Sequence, residues 1–274
     1  MSYKMIILDL DDTLLGNDHK ISERNKEALM KVQEQGGKVV LASGRPTYGM
    51  VPFAKELSLA EYGSFILSFN GGKIINCQTN EEFFSQTLSV DAVRRLSEIS
   101  QREGVQIHTY VGDEIVTAED NPYTSIESDL TGLPIKLVDS FMDGVTEPVV
   151  KVLMVGEPEH LQTVEKKLQA ELGDEFSVMR SKPFFLEFTD KGITKGTSIE
   201  KLIQEVGVKR EEIIAVGDSY NDQEMIEFAG LGVAMGNAPK DIKAVADFVT
   251  DTNVNHGVAQ VVEEFLLKEN LTYK

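Results

Sequence analysis

The sequence predicts an α/β protein built on a parallel sheet, with a separate α+β unit set into it. Three observations predict this: short apolar runs alternate with amphipathic helical stretches up to about residue 76, the alternation stops near residue 85, and it returns after Lys195. Met5–Leu8 reads as the first strand. Ser22 is placed to cap a helix carrying Ala28, Leu29 and Val32, which Gly36 and Gly37 close, and Lys38–Ala42 reads as the second strand. Strand, helix and strand in that order imply a right-handed crossover. Residues 65–69 read as a third strand. Asn70-Gly71-Gly72 ahead of Lys73–Asn76 is a hairpin signal, so Asn70 reads first as a turn residue.

Between residues 85 and 188 the style changes. A helix capped by Ser89 and carrying Val93, Leu96 and Ile99 ends near Gly104, and strand-like pieces follow at 106–110 and 114–118. A polar loop containing Asp and Pro leads to an apolar run at 149–155, a helix at 159–172, and strands near 176–180 and 184–188. Two helices with hairpin-compatible strands make this an α+β unit, 85–188, inserted between 1–84 and 189–274. The alternating style resumes with a helix at 197–206, a strand at 213–216, a helix near 222–228 and a strand at 232–235. Pro239 is placed to open another helix.

Composition narrows the partners. With 27 Lys and Arg against 45 Asp and Glu, the formal net charge is −18, a field that repels nucleic-acid backbones and anionic membranes. The same field repels small anionic substrates unless a cation is recruited beside them. The single cysteine, Cys77, allows no intrachain disulfide and fits a reducing compartment. The apolar run at the N-terminus is too short for a signal peptide, and no segment is long and apolar enough to span a bilayer; a cytoplasmic location is expected.

Four strings carry chemistry. Asp9-Leu10-Asp11-Asp12-Thr13 follows directly on the first strand, and ligands of parallel α/β sheets bind at the carboxyl ends of strands. Residues two apart on an extended chain point the same way, so Asp9 and Asp11 can face one cleft if the strand geometry persists; taken alone the string is also an acidic turn. Ser43-Gly44-Arg45 ends the second strand with a hydroxyl, a backbone N–H at a permissive glycine, and a cation. Arg45 is divided between a surface charge at a helix start and a contact to phosphate or to the inserted unit. Lys195 stands just before a helix, where the macrodipole disfavours a cation unless an anion is shared. Gly217-Asp218-Ser219-Tyr220-Asn221-Asp222 follows a late strand with carboxylates and an amide, which are helix caps or hard oxygen ligands suited to magnesium. Together the strings supply oxygen ligands for a dication and donors for a phosphoryl group.

In these residues and their order the chain resembles the haloacid dehalogenase superfamily: the DLDDT string at 9–13, Ser43-Gly44-Arg45, Lys195 and the GDSYND string at 217–222 match its four motifs. The long interval between Ser43 and Lys195, and the stretch Gly232-Val233-Ala234-Met235-Gly236-Asn237-Ala238, resemble the Cof-type sugar phosphatases in particular. Asp12 departs from that group, where glycine is common, and so does Asn255-His256 ahead of Gly257. The resemblance implies a Rossmann-like core with a C2-type cap at 85–188 and a magnesium-dependent phosphatase of small phosphorylated metabolites, sugar phosphates above all. It implies Asp9 as nucleophile forming an aspartyl phosphate, and Asp11 as general acid and base. Mg2+ would be held by Asp9, the backbone carbonyl of Asp11, and Asp218, with Asp222 nearby or acting through water. The backbone of Leu10, Ser43, Gly44, Lys195 and Asn221 would hold the phosphoryl oxygens. A phosphomutase of the phosphomannomutase type and a non-catalytic phosphometabolite-binding module are the competing readings.

Overall fold

The computed structural model describes residues 3–267. The chain divides into two compact units, one made of the residues up to Phe84 together with those from Thr194 onward, the other of Ser85–Ile193. In chain order the elements are β1 (Met5–Leu8), α1 (Glu23–Glu34), β2 (Lys38–Ala42), α2 (Thr47–Glu56), β3 (Phe65–Ser68), β4 (Lys73–Asn76) and β5 (Glu82–Ser85). Next come α3 (Val90–Glu103), β6 (Gln106–Val111), β7 (Glu114–Thr117), α4 (Pro122–Thr131), β8 (Ile135–Leu137), β9 (Val152–Val155), α5 (Pro158–Leu172), β10 (Phe176–Lys182) and β11 (Phe185–Asp190). The chain ends with α6 (Lys195–Val206), β12 (Ile213–Gly217), α7 (Gln223–Phe228), β13 (Leu231–Ala234), α8 (Lys240–Val245), β14 (Phe248–Val249) and α9 (Gly257–Val262).

In the first unit the strands form one sheet in the order β14-β13-β12-β1-β2-β3-β4-β5, parallel from β14 to β3 and antiparallel between β3 and β4. Its central strands are continuous apolar runs because both faces are covered. Ile6, Leu8, Val39, Leu41, Ile214 and Val216 share one buried cluster with residues of α1, α2 and α9. Their alternate neighbours Met5, Ile7, Val40, Ala42, Ile213 and Ala215 share a second one with residues of α6 and α7. Ser22 caps α1 by accepting the Asn25 N–H. Two expectations are corrected here. The third strand stops at Ser68, one residue early, because Phe69 and Asn70 take positive φ. Lys195 is the first residue of α6 and not a residue ahead of it, since Thr194 is the cap and accepts the Thr197 N–H.

The second unit is a six-stranded sheet, β10-β11-β9-β6-β7-β8, antiparallel except between β7 and β8. Val93, Leu96 and Ile99 of α3 and Leu161, Val164 and Leu168 of α5 pack with Ile107, Val152, Met154, Leu186 and Phe188 of the sheet. The stretch after residue 118, expected to be loop, contains the helix α4: Asn121 accepts the Thr124 N–H and Pro122 opens the helix, both ordinary start signals. The chain's way in and way out of the unit are joined by a hydrogen bond from Gln86 Nε2 to Asp190 Oδ2, 2.7 Å. No helix among the described residues is long and apolar enough to cross a membrane.

The residues on the other side of this sheet include a buried polar group beside apolar ones such as Leu153 and Phe185. Lys151 Nζ bonds Glu187 at 2.9 Å, the Tyr110 hydroxyl donates to Glu127, and His108 Nδ1 lies 2.9 Å from Thr124 Oγ1. Burial, and then the charge of Lys151, press the His108 pKa down to about 3. The unfolded chain therefore accepts a proton near the ordinary histidine value that the folded unit refuses. Stability is complete above about pH 6.5 and is lost as pH falls toward 3, by roughly 5 kcal/mol in the limit. Urea titrations between pH 7 and 4 should show this dependence in the wild type and lose it in His108→Gln; equal slopes would refute it.

Candidate active site

Four strands of the parallel sheet end on one edge, and each hands its chain to a polar segment. Asp9 follows β1 and keeps it in register, with its N–H on Val216 O at 3.0 Å and φ −66°, ψ 159°. The chain then turns sharply, with Asp12 at φ 58° and Leu15 N–H returning to Leu10 O at 2.9 Å. Ser43 follows β2, Asn70 lies just beyond β3, and Asp218 follows Gly217 at the end of β12. A side chain at Gly217 would put its Cβ 2.4 Å from that of Asp222, so only glycine lets the loop close there.

A lysine lies at the centre. Lys195 is fully buried, and its Nζ donates to Asp9 Oδ1 at 2.5 Å and to Asp222 Oδ1 at 2.6 Å. Asp222 Oδ2 accepts the N–H groups of Asp218 and Ser219, each at 2.9 Å, so this carboxylate fixes both the lysine and the loop. Asp218 Oδ1 accepts the Thr13 hydroxyl at 2.8 Å, which ties the two acidic strings to each other. One carboxylate oxygen from each of Asp9, Asp218 and Asp222 lies within 4.8 Å of the others.

The electrostatics follow from this crowding. Burial, reinforced by Asp222, raises the Asp9 pKa well above the usual carboxylate range, against the pull of Lys195. Burial also pushes Asp218 up to about 7; the Thr13 hydrogen bond opposes the shift, and Asp222 and Asp12 add to it. For Lys195 burial works against the ammonium, but Asp222 and Asp9 outweigh it and hold its pKa above the ordinary lysine value. With all three carboxylates ionised against one ammonium, the centre carries two negative charges in excess, and this repulsion adds to burial in raising the Asp9 and Asp218 pKa values. An all-oxygen donor set with that deficit fits a hard divalent cation.

The other sequence-derived residues fall around this centre. Ser43 is buried, and its Oγ accepts the Arg45 N–H at 3.2 Å, leaving the hydroxyl proton to donate elsewhere. Gly44 lies against the Asn70 amide, and Asn221 Nδ2 donates to Asn70 Oδ1 at 3.0 Å. Leu10 is buried beneath the turn. The Asp11 carboxylate stands outside the three-acid group. Arg45 grips it instead, with Nε on Oδ2 at 2.8 Å and Nη2 on Oδ1 at 2.6 Å, while the guanidinium lies 5.4 Å from the Phe53 ring centre. Sequence reasoning missed that pairing and the part of Thr13. Only the acidic string next to a cation at a second strand end could have signalled the pairing.

Comparison with known proteins bears on this arrangement. The family described as haloacid dehalogenase-like hydrolase matches residues 6–262. A solved haloacid dehalogenase-like hydrolase from Bacteroides thetaiotaomicron is 46% identical, with a TM-score of 0.91 over 96% of this chain and 100% of that one. The subclass IIB sugar phosphatase BT4131 is 26% identical, with a TM-score of 0.79 over 96% of this chain and 98% of its own. YxeH of Bacillus subtilis (strain 168), which carries the name of a phosphatase, is 32% identical over 269 residues, 97% of this chain and 99% of that protein.

Proposed function

Since this chain belongs to the haloacid dehalogenase-like hydrolases, we propose that it is a magnesium-dependent phosphatase of small phosphorylated metabolites, sugar phosphates foremost, working through an aspartyl phosphate. Kinship makes it a phosphoric monoester hydrolase. The observation that carries the rest is the buried centre of Asp9, Asp218, Asp222 and Lys195 at the strand ends. The substrate class rests on the likeness to the sugar phosphatase above.

In this reading an Asp9 carboxylate oxygen attacks phosphorus and the ester P–O bond breaks. Asp11 gives its proton to the departing alcohol, then takes one from the water that hydrolyses the aspartyl phosphate. Before the first step Asp11 must leave the Arg45 fork that occupies both of its oxygens. Ser43 Oγ, the Gly44 N–H, the Leu10 backbone, Lys195 Nζ and the Asn221 amide hold the phosphoryl oxygens. Mg2+ would be held by Asp9, the Asp11 carbonyl and Asp218, with Asp222 beside them; when bound it supplies the charge that offsets a carboxylate–phosphoryl repulsion of about 4 kcal/mol per charge pair at 4 Å. Asp9 carries out the attack, and Lys195 favours its ionised form against the burial and the Asp222 charge that oppose it.

A phosphate-release screen over sugar phosphates, nucleotides and cofactor phosphates, with magnesium and with a chelator, tests the reading. Release from small phosphoesters that the chelator abolishes is expected, and a wild-type protein silent across the screen would sink it. Free sugar as the product separates hydrolysis from return of the phosphoryl group to the sugar. Magnesium binding is also expected to depend on pH. Below the Asp218 pKa of about 7 a proton on that carboxylate competes with the cation, so affinity weakens by up to about tenfold per pH unit as pH falls. Calorimetric titrations from pH 6 to 8 check this, and a constant Kd would contradict it.

A further inference from the structure

Phe69, Asn70 and Gly71 stand consecutively in the left-handed region, at φ 54°, 55° and 94°. A run of this kind is unusual, since a phenylalanine resists that conformation and only the glycine adopts it freely. The surrounding hydrogen bonds hold it. Phe69 N–H donates to Arg45 O and Asn70 N–H to Ser43 O, each at 2.9 Å, so the segment is stitched to the loop after β2. Gly71 O accepts the Ser198 hydroxyl at 2.7 Å, and a Cβ at Gly71 would fall 2.5 Å from Ser198 Oγ and 2.7 Å from Thr194 O. The segment is thus pressed against the first turn of α6, which carries Lys195. From its middle the Asn70 side chain reaches across to accept a hydrogen bond from Asn221, 3.0 Å away.

We propose that Asn70 is a positioning residue of the phosphoryl site: its amide oxygen aims the Asn221 side chain, and the left-handed run beneath it sets Ser43-Gly44 and the start of α6 relative to that amide. One hydrogen of the Asn221 amide is taken by Asn70, which leaves the other to donate to a phosphoryl oxygen. A Cβ on Gly44 would lie 3.2 Å from both polar atoms of the Asn70 amide, so a side chain at 44 would push that amide by a few tenths of an ångström. The inference rests on the phosphatase reading, because Asn221 is the residue through which Asn70 acts.

Asn70→Gly is the informative variant, since glycine keeps the left-handed backbone and removes only the amide. It should unfold in urea at nearly the wild-type midpoint. It should bind inorganic phosphate in the presence of magnesium about tenfold more weakly, with KM rising by a similar factor, as expected for loss of an oriented hydrogen bond to an anion. In an Asn221→Ala background the same change should cost nothing further. Asn70→Gly with wild-type phosphate affinity, or losses that multiply in the double variant, would overturn the assignment. If no phosphoester is hydrolysed, the proposed function fails while calorimetric binding of inorganic phosphate still decides on Asn70; a wild type that binds no phosphate overturns both.

Discussion

Asp9→Asn is expected to lower phosphate release by roughly 10⁴-fold or more, because the amide cannot form the acyl phosphate and the remaining groups only bind. The same variant should melt at or above the wild-type temperature in the absence of metal. The Asp9 pKa is raised in the folded state, first by burial and then by Asp222, so above the ordinary carboxylate value its charge costs stability that a neutral isostere recovers. Lys195 keeps a partner in Asp222. Activity and stability thus move in opposite directions, as befits a residue kept for its chemistry. Initial rates on the best substrate and thermal melts in chelator check both halves, and normal turnover by the variant would remove the nucleophile from the account.

Lys195→Met should lose on both counts. Taking away the ammonium leaves Asp9 and Asp222 buried with no counter-charge, and breaking a buried pair in this way costs about 3–5 kcal/mol. Phosphate release should fall with it, since the amine that favours the ionised form of Asp9 is gone. Magnesium should restore part of the lost stability by neutralising the same carboxylates. A Lys195→Met protein with the wild-type urea midpoint would show that the strand ends do not depend on this ion pair.

The sheet core was legible because its strands are buried on both faces: Met5–Leu8, Val39–Ala42 and the run ending at Val216 are apolar without interruption, and caps such as Ser22 mark the helices between them. α4 was not, since its buried positions are Thr124, Glu127 and Thr131, which satisfy one another and the sheet's polar residues by hydrogen bonds and leave no apolar stripe. Asp9, Lys195, Asp218 and Asp222 were legible as a group because each stands at a strand or helix end. Which acid meets which cation was not. Asp9 and Asp11 are two apart, yet the chain leaves the extended geometry at Leu10, between them, which separates their fates, one joining Lys195 in the interior and the other meeting Arg45 with the Asp11 side chain 47% exposed. Asn70 read as a turn residue and is one. Its second part depends on Asn221, 151 positions away, and no local pattern records such a pair.

The register Met5↔Ile213 means that β1 lies beside a strand made late. At about 5–20 residues per second, roughly ten to forty seconds pass on the ribosome before its neighbour is synthesised. The inserted unit is one unbroken stretch, finished before α6 emerges, and the bond from Gln86 to Asp190 draws its two ends together. Its early folding cuts the span to be closed by about half, worth only about 0.6 kcal/mol. What it changes more is exposure: for that interval Ile6 and Leu8 have no β12 alongside, which makes the nascent chain, and not the finished protein, the state most open to aggregation and to chaperones.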